Sequence, residues 1–162
     1  MANQTNVITL IFVRHGASEP SVEGESDEAR KLVKRGIKQM KRVAELLDDI
    51  NVTVDRVFSS RFLRAYQSAD VICDELKLDV KIETIPELEP GRKPLEFINR
   101  IKEFDNLSCL VVSHEPLISK LLKAITGANI ETSKGSLVLL SYNPSDGESL
   151  VKLVIDQKVL QR

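Results

Sequence analysis

Three short stretches of the chain carry residues able to do chemistry on an anion: "VRHG" at Val13–Gly16, "SSRFLR" at Ser59–Arg64 and "VSH" at Val112–His114. Both histidines of the chain are among them, and each stands where an apolar run stops. Two guanidiniums facing a common space make rigid forks of N–H donors suited to phosphate or carboxylate oxygens. A neutral imidazole beside Arg14 and Arg64 is a competent nucleophile toward phosphorus. The phosphohistidine it forms splits one hard displacement into two easier ones. Of the two histidines, His15 or His114, one would attack and the other would meet charge on the equatorial oxygens alongside the arginines. Gly16 would let the backbone turn sharply and come close to the phosphoryl group. A carboxylic acid is still needed to protonate the leaving oxygen. Glu87 and Glu89, in the proline-bounded "PELEPGRKP", are the nearest candidates.

These stretches act together only if the fold brings them to one place. Val7–Val13 is a short, nearly continuous apolar run, as expected of a strand buried on both faces. "ASEPSVEGESDEAR" then reads as a polar, acidic surface loop. From Ala29 the apolar residues Leu32, Val33, Ile37, Met40, Val43, Ala44 and Leu47 recur at helical spacing, with Gly36 on the stripe as the mark of a close approach to the sheet. "VDRVFSS" is a second strand, with Ser59 and Ser60 as N-cap candidates for a helix through Phe62, Ala65, Ala69, Ile72 and Leu76. "DVKIET" is a short third strand, and Leu95, Ile98 and Ile101 suggest a further helix. "LSCLVVSH" is a fourth strand, followed by the helix "LISKLLKAIT", opened by Pro116 and closed by Gly127. "SLVLLSY" and "ESLVKLVID" read as two strands around the turn "NPSDG".

Strands alternating with helices imply a three-layer α/β/α sandwich with a mostly parallel central sheet, in a single domain over 1–162. Ligands bind such sheets beyond the carboxyl ends of the strands, and Arg14–His15, Ser59–Arg64 and Ser113–His114 all fall there. A net charge of −1 gives no general attraction to nucleic acid or acidic membrane, so any anion must be held by this local site. Cys73 and Cys109 form no CxxC or metal-spaced pair, and two histidines without clustered carboxylates make no sound ligand set for a metal. "MANQTN" lacks a basic n-region and the apolar run after it is too short to span a bilayer, so a cytoplasmic protein is expected.

Each residue alone has an ordinary explanation. A strand-end histidine bonded to backbone, a solvated helix arginine and plain loop carboxylates would account for His15, Arg64, Glu87 and Glu89 one at a time. Glu19 and Glu115 read as exposed charges. It is the joint placement of the two histidines and two arginines at one sheet edge that makes the ordinary explanations fail.

In these motifs the chain resembles the histidine phosphatase, or phosphoglycerate-mutase-like, superfamily. "VRHG", "SSRFLRAYQSA" and "LVVSHEP" resemble three signature segments in the family's order and extend the likeness over nearly the whole chain. The resemblance implies a phosphoglycerate-mutase-like fold, His15 as the phosphorylated nucleophile, Arg14, Arg64 and His114 as ligands of the phosphoryl group, and neither metal nor other cofactor. The compact length, "LVKRGIKQ", "ELEPG" and "KGSLVLL" look most like the SixA-type phosphohistidine phosphatases. This implies an open pocket acting on a phosphohistidine displayed by a partner protein. A small phosphomonoester, mutase-type transfer or a non-catalytic phosphoprotein-binding module are the alternatives. The sequence departs from the family pattern in four places. Pro90 stands about where many relatives carry their acid, Arg61 replaces a usual proline, and Val33 replaces a helix-capping threonine. Ser18 or Ser21 stands in for an asparagine after the RHG, with Ser18 taken as the candidate phosphate ligand.

Overall fold

The longest unbroken apolar runs become the middle of the sheet. In the computed structural model, which describes residues 6–161, "ITLIFVR" forms β1 (Ile8–Arg14) and "SCLVVS" forms β4 (Ser108–Ser113). They pair in parallel at the centre of six strands ordered β3-β2-β4-β1-β5-β6. The others are β2 (Arg56–Ser59), β3 (Ile82–Thr84), β5 (Leu137–Tyr142) and β6 (Ser149–Ile155). β3, β2, β4 and β1 run parallel, β5 runs against β1, and β6 runs against β5. The sheet is thus mostly parallel, as the alternation of elements implies. The opening residues 1–5, part of the stretch read as lacking a leader, lie outside the described residues.

Side chains alternate along β1 and divide the core in two. Leu10 and Phe12 pack with Phe58, Phe97 and Leu121 under α3 (Pro94–Ile101) and α4 (Leu117–Thr126). Ile11 and Val13 pack with Met40, Leu47, Ala65 and Ile72 under α1 (Lys34–Asp49) and α2 (Leu63–Glu75). Helices on both faces complete three layers, and a short α5 (Gln157–Leu160) follows β6.

The start of α1 differs from expectation because tertiary acceptors take the backbone N–H groups of its lead-in residues. Ala29, Leu32 and Val33 lie outside α1. Leu32 N–H donates to Gln67 Oε1 at 2.8 Å and Val33 N–H to the Ala17 carbonyl at 3.0 Å, while Leu32 bridges Ser18. Ser59 and Ser60 do not cap α2. Ser60 Oγ accepts from Phe62 N–H at 3.1 Å before the helix begins at Leu63, and Ser59 Oγ donates to the Ser60 carbonyl. In α3 it is Phe97 and Ile101 that are buried, whereas Leu95 is exposed. The strand expected through Asp156 stops at Ile155, and α5 follows it. Asp156 ends that strand by accepting Lys158 N–H at 2.8 Å as an N-cap. Gly127, at φ +76°, closes α4 as expected.

Candidate active site

Register brings the site together. Arg14 is level with Ser113 across β1 and β4, and Ser59 with Val112 across β2 and β4, so three neighbouring strands stop side by side. His15 and His114 follow two of those ends, and their rings lie 5.0 Å apart between centroids. Arg64, from the first turn of α2, directs Nε to His15 Nε2 at 3.4 Å. His15, Arg64 and His114 are all at least nine-tenths buried. The convergence expected from the strand ends is present for all four of Arg14, His15, Arg64 and His114.

Backbone contacts decide the tautomer of His15. Its Nδ1 lies 2.8 Å from the Gly16 carbonyl, which can only accept, so Nδ1 carries the proton and Nε2 keeps its lone pair beside Arg64. Gly16 N–H donates to Ser68 Oγ at 3.0 Å, and that hydroxyl donates to the Arg64 carbonyl at 2.7 Å, tying the loop to α2. Gly16 earns no positive φ, so a sharp turn does not explain it. A Cβ there would stand 2.7 Å from the Gly36 carbonyl oxygen, and one on Gly36 would stand 2.1 Å from that of Ala17. The two glycines let α1 press directly on the residues after His15.

Burial, reinforced by the charges of Arg64, Arg14 and Lys134, pushes His15 down to about 4, against the opposing pull of the Gly16 carbonyl. His114 is pushed lower still, first by burial and then by His15 and Arg64. Both imidazoles are therefore neutral at pH 7. Between about pH 6.5 and 4 the unfolded chain takes up a proton on His15 that the folded chain refuses, so stability falls as pH falls through that window. For His15 the effect is of the order of 3 kcal/mol. The urea midpoint is expected to drop from pH 7 to pH 4.5, and His15→Asn, which cannot take up that proton, to show a shallower drop.

Arg14 Nη1 donates to the Thr132 carbonyl at 2.7 Å, while its Nε is buried with no partner among the described residues. Both ring nitrogens of His114 and the hydroxyl of Ser18 are likewise buried and unpartnered. Orphaned donors are costly unless an acceptor arrives. Glu115, read as an exposed charge, instead builds the site's wall. One oxygen accepts Thr132 N–H at 3.2 Å together with the Thr132 hydroxyl, and the other accepts Ser119 Oγ at 2.6 Å. It thereby fixes the carbonyl that holds Arg14. Gly135 N–H reaches back to the Arg14 and His15 carbonyls at 3.1 and 3.2 Å.

The carboxylate in contact with the site is one the sequence did not single out. Asp27, from the acidic loop, places Oδ2 3.1 Å from Arg64 Nη2, and its carbonyl accepts Nη1 at 2.8 Å. Arg30 Nε holds its other oxygen at 2.8 Å. These arginines keep the Asp27 carboxyl below its ordinary range against the opposing effect of burial. Glu87 is paired with Arg100 at 2.7 Å and Glu89 with Arg61 at 2.8 Å. Neither has a hydrogen bond or ion pair to Arg14, His15, Arg64 or His114 among the described residues. Arg61, which stands where relatives carry a proline, is taken up by Glu89 and, at 3.7 Å, Glu28.

Residues 10–90 match the family model of the histidine phosphatase superfamily (branch 1). The phosphohistidine phosphatase SixA of Escherichia coli (strain K12) is 32% identical over 116 residues, spanning 70% of this chain and 71% of that protein. A solved structure of the protein histidine phosphatase SixA complexed with tungstate superposes with a TM-score of 0.87 at 25% identity, covering 94% of this chain and 99% of that one. Phosphoglycerate mutase from Bacillus anthracis shares the fold, with a TM-score of 0.74 at 17% identity over 96% of each chain. The matched span begins in β1, whose end bears Arg14 and His15, and runs past Arg64. The chain belongs to the histidine phosphatase superfamily.

Proposed function

We propose that the protein is a phosphatase that removes the phosphoryl group from phosphohistidine on a partner protein, with His15 as its nucleophile. One observation carries this reading: a buried, neutral His15 whose Nδ1 proton is fixed on the Gly16 carbonyl, leaving Nε2 as a nucleophile beside a guanidinium. The His15 Nε2 lone pair attacks phosphorus in line, the bond from phosphorus to the substrate's imidazole nitrogen breaks, and that nitrogen leaves with the bonding pair. Arg14 Nε, Arg64 and His114 meet the charge on the equatorial oxygens. Water then attacks the phosphorus on His15, and inorganic phosphate departs as Nε2 recovers its lone pair.

Arg64 must exchange Asp27 for the incoming phosphoryl oxygens. Asp27 released from Arg64 loses one of the two arginine charges that hold its carboxyl low, Arg30 being the other, and it is the acid we favour to hand a proton to the leaving nitrogen and take one from water. Glu87 and Glu89, the loop carboxylates the sequence offered, are the further candidates, paired with Arg100 and Arg61 respectively. Imidazole is a good leaving group, so the demand on this acid is smaller than for an alkyl ester. A protein substrate fits the likeness to SixA, named as acting on phosphohistidine, and the half-exposed Asp27 side chain at the mouth. We place the activity in the cytoplasm, where the buried thiols of Cys73 and Cys109 remain reduced. No helix among the described residues is long and apolar enough to cross a membrane.

The test is steady-state phosphate release from a phosphohistidine-bearing protein and from a small aryl phosphate. A kcat/KM about 10²-fold higher for the protein is expected. Equal or better turnover of the aryl ester would reassign the enzyme to small phosphomonoesters. Phosphate binding without turnover of either would leave only a recognition module.

A further inference from the structure

The steps above give no task to Lys134, a cation whose charge acts on His15. Its position is set by backbone: the peptide joining it to Gly135 donates to the carbonyls of Arg14 and His15 at 3.1 and 3.2 Å. That turn cannot relax easily. Gly135 holds φ +78°, and a Cβ there would fall 2.8 Å from Gln157 Nε2 and 3.1 Å from Gln39 Cβ. On the other side, Arg35 precedes Gly36 in the first turn of α1, and Gly36 packs directly against Gly16 and Ala17.

The Lys134 ammonium is held below the ordinary lysine range, first by partial desolvation and then by the like charges of Arg14, Arg30, Arg64 and Arg35. Neither Lys134 nor Arg35 has a carboxylate ion-pair partner among the described residues. Arg30, Arg64 and Arg61 differ in this respect, since Arg30 and Arg64 share Asp27 and Arg61 holds Glu89. Arg35 also stands in the first turn of its helix, the end that disfavours a cation. In a chain of net charge −1, Lys134 and Arg35 are thus exposed positive charges with no ion-paired carboxylate among the described residues.

Burial separates its task from that of the phosphoryl ligands. His15, Arg64 and His114 are buried, whereas Lys134 and Arg35 are exposed. An exposed cation just outside a buried oxyanion site faces the part of the substrate that leaves, not the group transferred. We propose that Lys134, with Arg35 beside it, forms an anion subsite that selects phosphoproteins carrying an acidic side chain next to the phosphorylated residue. This rests on the protein-phosphatase reading and deepens it. Such a contact contributes to substrate binding in ground and transition state alike, so it appears in KM more than in kcat.

The test uses two histidine peptides phosphorylated with phosphoramidate, one flanked by aspartates and the other by asparagines. The wild-type protein is expected to favour the aspartate peptide about tenfold in kcat/KM, with the preference fading at high salt. Lys134→Met keeps the aliphatic stem, and it is expected to raise KM for the aspartate peptide and bring the two kcat/KM values close together. Lys134→Arg is expected to restore the preference. Equal use of both peptides by the wild type would overturn the proposal. So would an equal fall in kcat for both peptides in Lys134→Met, which would make Lys134 a ligand of the transferred phosphoryl. If neither peptide is turned over, the phosphatase reading fails. Equilibrium binding of the aspartate peptide to wild type and Lys134→Met still decides the subsite, tighter binding to wild type supporting it and equal binding overturning it.

Discussion

His15→Ala is expected to lower turnover of a phosphohistidine protein by about 10⁴-fold or more, measured as steady-state phosphate release. The size follows from what is lost. Without Nε2 no covalent intermediate forms, and the remaining route is direct attack by water in a pocket arranged around an imidazole. Phosphate affinity, read by equilibrium titration, is expected to survive, because Arg14, Arg64 and His114 are held by other contacts. Arg14 hangs on the Thr132 carbonyl and Arg64 is tied to Ser68 through its own carbonyl. Loss of binding together with turnover would point instead to collapse of the pocket. A far-ultraviolet spectrum and urea midpoint on the variant separate the two.

Arg64→Lys keeps a positive charge in place and is nevertheless expected to lower kcat/KM by about 10²–10³-fold. The guanidinium does three things at once: Nε meets His15 Nε2 at 3.4 Å, Nη1 meets the Asp27 carbonyl at 2.8 Å, and Nη2 meets its carboxylate at 3.1 Å. An ammonium cannot occupy three directions in one plane. It loses either the orientation toward the nucleophile or the fork that receives phosphoryl oxygens. The loss is expected mainly in kcat, because charge developing on the oxygens in flight is what the fork meets. A change confined to KM would place Arg64 in substrate binding alone.

What was legible in the sequence was what short-range pattern controls. β1 and β4 are buried on both faces, so their apolar runs stand out, and the two histidines mark where those runs end. The topology of a parallel sheet then places all such ends on one edge, which is why Arg14, His15, Arg64 and His114 could be grouped before any coordinates. Gly36 was readable as a close approach, although its partner is the loop after β1 and not the sheet itself.

The residues that escaped notice are held by contacts distant in sequence. Asp27 meets Arg64 across 37 positions, and nothing in "GESDEAR" distinguishes it from the acidic residues around it. Glu115 looks like surface charge until Thr132, 17 positions away, is seen to donate to it. The start of α1 was misplaced because the donors of Leu32 and Val33 are taken by Gln67 and Ala17, so the stripe of apolar residues outran the helix. Glu87 and Glu89 were nominated by their nearness in a loop, while the structure gives each an arginine partner.

The most direct measurement is rapid quenching of the enzyme during turnover of a phosphohistidine protein, followed by peptide mapping at neutral or alkaline pH, where a phosphoramidate bond survives. Expected is a phosphoryl adduct on His15 that forms and decays at the rate of turnover and is lost on acid treatment. Full turnover with no adduct on His15, or with the adduct on another residue, would contradict the nucleophilic role of His15 and with it the mechanism.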